Sequence, residues 1–422
     1  MITPAFPLTA PFRIDQFMVA PQAMTALFFV QGGLAIAIHW AGVQGRTKLW
    51  RAAVALLLLL ILVFFTLGSW GTSDTTRFSH YLEWDPDRAP PELLWRLLRP
   101  LLLWLPYRMA MVHGLVVSGY AAAAILLASL WRARPWAGWW ALVLTCSPML
   151  RGFMQNAHSR QALAMLLLLP LLLHGARLVR LDRRWLVLGT LLSALSHNTF
   201  VLNLPISLLP WLQRLPELST AMRDRFARLR WHDLRHRWPD LRRRWPDLRR
   251  RWPVVLALLV LLALFMIVAP IAWGRLQDYS QDEYFNQYPL TRRVGRLQWA
   301  LAFGLLLACL QRRLDPRQLL ACPLTQMLAV FGLLYIGIQQ SIIYLWLPQV
   351  TCRVADGVAL FLLIFYFAWL DRYRAHWCLL PVMYMTFQYW LEGRLLVSGA
   401  LECGLDDNFL CLPDRWPWQV RY

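Results

Sequence analysis

Several chemistries are excluded by what this sequence does not contain. There is no HExxH helix, no CxxC pair and no acidic cluster, so no metal site and no cofactor are expected. A Walker A loop is absent, as is any soluble domain that could hold a nucleotide sugar. The seven cysteines carry no metal-ligand spacing. Cys146, Cys309, Cys322, Cys352 and Cys378 lie in or beside apolar runs and are expected to pack as small hydrophobes. Cys403 and Cys411 flank a polar loop in the tail and are free to pair if that tail faces an oxidising compartment. The residues before Pro21 are neither strongly basic nor followed by a small-residue cleavage pattern, so the first apolar span is expected to act as an uncleaved signal. Acidic residues are scarce, 23 against 43 basic ones, and of the basic residues only Lys48 is lysine.

What remains is mostly apolar. Hydrophobic residues make up 58% of the 422 and mean hydropathy is +0.42, in unbroken runs of Leu, Ala and Val that a soluble protein of this size would not carry. At roughly 20 residues per span, a chain this long holds about twelve transmembrane helices with short connections. The expected fold class is all-α, a polytopic integral membrane protein forming one domain over residues 1–422. The net charge of +20 falls mostly between the apolar runs, the distribution that the positive-inside rule produces. It points to membrane lipids with anionic headgroups as the partner, and not to nucleic acid.

Followed in order, the spans are expected at about 20–41, 52–67, 109–130, 136–150, 160–176, 185–196, 201–212, 254–273, 297–310, 319–347, 353–371 and 378–396. With both termini outside, the charge bias is then satisfied at every cytoplasmic loop. Polar loops at 68–92 and 274–296 face outwards. The segment 93–107, Leu and Trp interrupted by Arg96, Arg99 and Pro100, suits a helix lying along the interface. Residues 214–253 form a basic cytoplasmic segment that includes the repeat RWHDLRH, RWPDLRR, RWPDLRR. Proline recurring at that spacing prevents one continuous helix, so short amphipathic turns on the anionic leaflet are expected.

One stretch gathers the polar residues. Arg151 to Phe200 reads RGFMQNAHSRQALAMLLLLPLLLHGARLVRLDRRWLVLGTLLSALSHNTF, two apolar spans joined by a basic hinge. Asn156, His158, Ser159, Arg160 and Gln161 stand where one helix begins, and His197 with Asn198 where the next one ends, both at the outer face. Ionisable groups at the lip of a membrane span are costly to desolvate and mark a site by default. The short or Pro-interrupted spans 185–196 and 201–212 are expected to border a water-filled space. Arg353 and Asp356 open another span at the same face.

These motifs resemble the EpsG family of bacterial exopolysaccharide polymerase-like membrane proteins, which carry N-x-x-R-Q-x-L-A at a helix start and a His near the end of the following span. The matching residues are Asn156 or Ser159 upstream, Arg160, Gln161, Leu163, Ala164 and His197, with Asn156 one residue further from Arg160 than the pattern has it. In the outer loop, SDTTRFSHYL is similar to the family's S-D-x-x-R-Y element and brings in Ser73, Asp74 and Arg77, with Phe78 in place of Tyr. The resemblance covers residues 68–200. It implies a Wzy-related polymerase with an architecture like that of the GT-C glycosyltransferases. Such an enzyme joins undecaprenyl-pyrophosphate-linked oligosaccharide repeats at the outer face of the cytoplasmic membrane, in exopolysaccharide, capsule or O-antigen biosynthesis. Its partners would be a lipid-linked donor, which supplies the energy, a lipid-linked acceptor and a chain-length regulator.

That reaction needs cations for a departing pyrophosphate, a base for an attacking hydroxyl and a groove for two lipids. Arginine offers a fork that matches phosphate oxygens. Arg160, in the first turn of its helix, would bind a diphosphate together with the free N–H groups and the helix dipole. Arg151, Arg77, Asn156, Gln161 and Arg353 are the further candidates for binding substrate. His197 is expected to act as a general base, or else to cap its helix. Asp74 is expected as a base, or as the partner of Arg77. The carboxylates and rings of Asp278, Asp282, Glu283, Tyr284 and Tyr288 suit a sugar-binding surface as well as an ordinary exposed loop. The alternatives are a flippase or transporter of lipid-linked glycans, a membrane glycan ligase and an acyltransferase. No duplication of RQALA or SHNTF marks the repeated halves of a transporter.

Overall fold

The computed structural model describes residues 21–69, 92–105, 109–147, 150, 159–212, 294–340 and 348–387, and among them every regular element is helical. α1 (Pro21–Val43) and α2 (Thr47–Ser69) are followed by a short α3 (Leu93–Trp104), then α4 (Met109–Leu130) and α5 (Ala137–Cys146), which is preceded by a 3-10 turn at Arg134–Trp136. α6 (Ser159–Gly175), α7 (Arg183–Ser196) and α8 (Phe200–Leu212) come next. α9 (Val294–Arg312), α10 (Pro316–Ala321), α11 (Pro323–Gln340) and α12 (Pro348–Arg372) complete the described α-helices, and a 3-10 turn at His376–Leu379 leads into helical residues 380–387.

Three segments, Thr47–Thr66, Met109–Leu130 and Val354–Arg372, are long and apolar enough to cross a membrane. The outside of the bundle is apolar as well: Phe29, Ile36, Leu59, Leu97, Trp104, Leu126 and Leu333 are all exposed. Water penalises apolar surface on this scale, whereas lipid accepts it. Among the described residues the protein is all-helical, with the apolar spans and apolar exterior of a membrane protein.

Of the three candidate spans, the one on α12 is the most buried. Its apolar window is 83% buried, against 28% for Thr47–Thr66, and it contacts α5, α6, α8 and α11. Its residues Val358 to Leu370 are apolar on every face, which suits a helix surrounded by others. α2 packs along α4, α4 along α5, and α6 against both α7 and α8.

All the basic turns lie at one end. Five helices finish there in a left-handed residue: Gly45 (φ 69), Arg132 (φ 65), Arg177 (φ 60), Arg313 (φ 49) and Arg374 (φ 50). In four of these turns the next N–H reaches back over the helix end, from Arg46 to the Ala41 carbonyl, Leu178 to Leu173, Leu314 to Cys309 and Ala375 to Leu370, at 2.8–3.2 Å. This is the Schellman closure, which satisfies helix-end carbonyls that would otherwise be orphaned. Side chains then stitch one turn to another. Trp50 Nε1 donates to the Arg134 carbonyl, Trp131 Nε1 to Leu178, Arg312 Nη2 to Arg374, and Trp377 Nε1 to the Gln311 amide.

His376 belongs to this end. Its ring stacks on Trp136 with centroids 5.3 Å apart, and Nε2 lies 3.6 Å from Asp371 Oδ1. Burial first, and the neighbouring His39 second, push the imidazole down from its ordinary 6.5 to about 4. A histidine that the fold keeps neutral contributes stability that is complete above 6.5 and is lost as pH falls towards 4. His376→Phe keeps the aromatic stack and should flatten the decline in melting temperature across that window. An unchanged decline would assign it to other groups.

At one place the described helices depart from the expected spans. The run 319–347 is not one helix: Cys322 is extended (φ −72, ψ 120) between α10 and α11. The ring of Pro323 disfavours helical geometry in the residue before it. The interfacial segment does form a helix, α3, with Trp95 and Leu102 buried and Trp104 exposed. Cys146, Cys322 and Cys378 are buried free thiols, and Cys309 is partly so. The expected span 254–273, the repeat segment 214–253, most of both outer loops, Cys403 and Cys411 lie outside the described residues.

Candidate functional site

The site grows from the antiparallel register of α6 and α7. Gly189 lies so close to α6 that a Cβ there would sit 2.7 Å from the Leu167 carbonyl oxygen. One turn later Ser193 Oγ donates to the Ala164 carbonyl at 2.8 Å. Residues four apart share a helix face, so 189, 193 and 197 run along α7 opposite 167, 164 and 160 on α6. Arg160 and His197 therefore come level at the end of the bundle opposite the basic turns.

α3 closes this end. Its N-cap residue Glu92 has extended backbone geometry but makes no side-chain cap of its own helix. The carboxylate instead takes Arg160, whose Nη1 lies 3.1 Å from both Oε1 and Oε2. The Glu92 side chain is only 4% exposed and that of Arg160 is 21% exposed. A cation in the first turn of a helix opposes the dipole, and the carboxylate offsets that cost. One turn along α3, Trp95 Nε1 donates to the Ser196 carbonyl at 2.7 Å, fixing the residue next to His197.

His197 is the C-cap of α7, with extended backbone. Its Nδ1 accepts the Thr199 N–H at 3.1 Å and lies 2.8 Å from Thr199 Oγ1. A backbone N–H can only donate, so the neutral ring carries its proton on Nε2. The imidazole thus shapes the turn into α8 and, in its neutral form, carries its proton on Nε2.

A second polar layer lies about one helical turn deeper. Gln161 is buried beside Arg160. Tyr120 Oη, from α4, donates to the Ala162 carbonyl at 2.6 Å, and Asp356 of α12 lies within electrostatic reach of that phenol. Asn203, in the first turns of α8, is fully buried against Gly357 and Met165.

Arg160 and Gln161 at the start of α6 and His197 at the end of α7 stand at the same end of this antiparallel pair. Asp74, Arg77, Arg151 and Asn156 lie outside the described residues, and Arg353 sits on α12 one turn before Gly357. Glu92, Trp95 and Asn203 were not singled out from the sequence. Glu92 had a signal, because Pro90-Pro91-Glu92 before an amphipathic Leu-Trp run is a helix start. Among the described residues no three His, Cys, Asp or Glu side chains gather as metal ligands. Compared with known proteins, the chain matches no family model, no curated protein and no solved structure.

Proposed function

We propose that this chain is a membrane glycosyltransferase that polymerises undecaprenyl-pyrophosphate-linked oligosaccharide repeats at the outer face of the bacterial cytoplasmic membrane. The observation that carries this reading is the Glu92–Arg160 pair, a nearly buried carboxylate held by a partly exposed guanidinium at the end of α6. A carboxylate, a guanidinium and an imidazole donor at the lip of a membrane protein suit a reaction in which a lipid diphosphate departs and a hydroxyl attacks. The positive-inside rule puts the basic turns in the cytoplasm and this rim outside.

In the proposed reaction, Glu92 takes the proton of the attacking sugar hydroxyl as its oxygen bonds to the donor's anomeric carbon. The bond from that carbon to the pyrophosphate oxygen breaks, and its electron pair leaves with the lipid diphosphate. Arg160 receives the developing charge. Its guanidinium fork matches phosphate oxygens, and its Nη1 holds Glu92 at 3.1 Å from both carboxylate oxygens. His197 donates from Nε2 to the leaving group or to a sugar oxygen, so the base is Glu92 and not the histidine. Arg77, Arg151, Asn156, Gln161 and Arg353 form the substrate-binding set in this reading, Asp74 a further base or the partner of Arg77, and the architecture is of GT-C type with about twelve spans.

Deleting the gene and sizing the lipid-linked glycans tests this directly. A ladder that collapses to single repeats is the expected result. A full ladder, or single repeats accumulating on the cytoplasmic leaflet, would overturn it and favour a ligase, an acyltransferase or a flippase.

A further inference from the structure

Four arginines occupy a backbone geometry that arginine disfavours. Among the described residues, the left-handed positions are Gly45, Arg132, Arg177, Arg313 and Arg374. Glycine enters this region freely, and Asn or Asp enters it more readily than a long side chain, because the Cβ crowds the following carbonyl. Gly45 is thus the ordinary solution at a helix end, and the other four turns depart from it in the same way. A disfavoured residue repeated at four equivalent places points to a use of its side chain. The helix dipole does not supply that use. A cation near a helix C-terminus is favourable, but α9 and α12 already carry Arg312 and Arg372 in their last turns, where no left-handed residue is needed.

Their position supplies it. Immediately after each arginine the chain turns inward: Ala133 and Ala375 are buried, and Leu178 and Leu314 pack against the core. The four arginines themselves are exposed, so each turn presents its arginine outwards. The turns are also held in pairs. Trp131 Nε1 donates to the Leu178 carbonyl at 3.1 Å, a bond between the residues adjacent to Arg132 and Arg177. Arg312 Nη2 donates to the Arg374 carbonyl at 2.6 Å, which ties the turn of Arg313 to that of Arg374. Trp131 and Trp377 are half-buried beside these turns, and indoles collect at headgroup depth. Asp371 lies within electrostatic reach of Arg374 and is the acidic side chain that competes with a phosphate there.

Basic connections give any such chain a diffuse attraction to an anionic leaflet. Paired guanidinium forks on rigid turns add a fixed place for phosphate oxygens. We propose that Arg132 with Arg177, and Arg313 with Arg374, form two seats for the phosphates of anionic phospholipids in the cytoplasmic leaflet, and that the left-handed arginines are kept because they hold the charge at headgroup depth. The seats lie at the end of the bundle opposite Arg160 and do not depend on the reaction proposed there.

The test replaces all four by the residue that their backbone prefers, as Arg132→Gly/Arg177→Gly/Arg313→Gly/Arg374→Gly. Full-length protein in a neutral detergent is melted with phosphatidylglycerol or with phosphatidylcholine added. The native protein should melt higher with phosphatidylglycerol, and the variant should lose more than half of that increment. With phosphatidylcholine the variant should melt no lower than the native protein, because glycine relieves the left-handed positions. A control of equal charge, Arg180→Gln/Arg183→Gln/Arg184→Gln/Arg317→Gln, removes exposed arginines from other positions and should keep the increment. No increment in the native protein, an increment kept by the glycine variant, or an equal loss in the control would each overturn the seats and leave only diffuse attraction. A glycine variant that melts well below the native protein with phosphatidylcholine would show that the arginines hold the fold and not a lipid. Glycerol phosphate in place of phosphatidylglycerol should raise neither protein, and an equal rise would give the seats to a soluble anion. Should the fourfold variant not accumulate, Arg132→Gly/Arg177→Gly and Arg313→Gly/Arg374→Gly take its place, each expected to lose part of the increment.

Discussion

Cells carrying Glu92→Gln should contain single lipid-linked repeats and no polymer, although the protein is inserted and folded. The asymmetry of the pair separates its chemistry from its contribution to folding. Arg160 is 21% exposed and, left alone, can be hydrated, while Glu92 is 4% exposed and cannot. Glu92→Gln should therefore cost about 1 kcal/mol of stability, in the range of a partly exposed pair. Arg160→Gln strands a buried carboxylate and should cost about 3 kcal/mol. The double variant Glu92→Gln/Arg160→Gln removes both charges and should melt nearer to the native protein than Arg160→Gln does. Product should be missing from all three, because neither the base nor the cation survives in the double variant. Polymer restored together with stability in the double variant would show that the pair only holds α3 onto α6, and the catalytic role of Glu92 would fall.

What the sequence discloses follows the range over which each signal acts. Apolar runs and basic connections are local, so α1, α2, α4, α6 and α7 lie within a few residues of the expected spans. Arg160 and His197 were legible as a pair because one opens α6 and the other closes α7, and a short hinge forces antiparallel packing. Glu92 was not, since its partner is 68 residues away and no periodicity links a loop-end carboxylate to a helix start. Asn203 reads as a chance polar residue in the apolar stretch FVLNLP, and only burial without partners distinguishes it. The break at Cys322 was written in Pro323, but the apolar run on both sides outweighed it. The donor role of His197 depends on a Thr199 N–H whose direction is set by the turn, and residue identities alone do not fix it.

Gly189→Ala should abolish product from a position that no substrate touches. Alanine ordinarily helps a helix by up to about 1 kcal/mol over glycine. Here the new methyl group would lie 2.7 Å from the Leu167 carbonyl oxygen, a backbone atom that cannot rotate away. Restoring the 3.4 Å of ordinary contact forces α6 and α7 apart by about 0.7 Å, at a cost of about 1–3 kcal/mol for overpacking. Close helix approach through a small residue is a common packing device in membranes. The strain passes along one face. Four residues on, the 2.8 Å bond from Ser193 to Ala164 would be stretched to its limit, and four further on His197 would leave its level with Arg160. A displacement on this scale can cost about a hundredfold in rate when groups must converge on one reacting centre. Ser193→Ala removes the hydrogen bond without adding a clash and should lose far less. Membrane insertion of both variants, checked by protease protection, separates misassembly from a misaligned site. Normal polymer from inserted Gly189→Ala would show that the register of α6 and α7 does not set the alignment of Arg160 with His197.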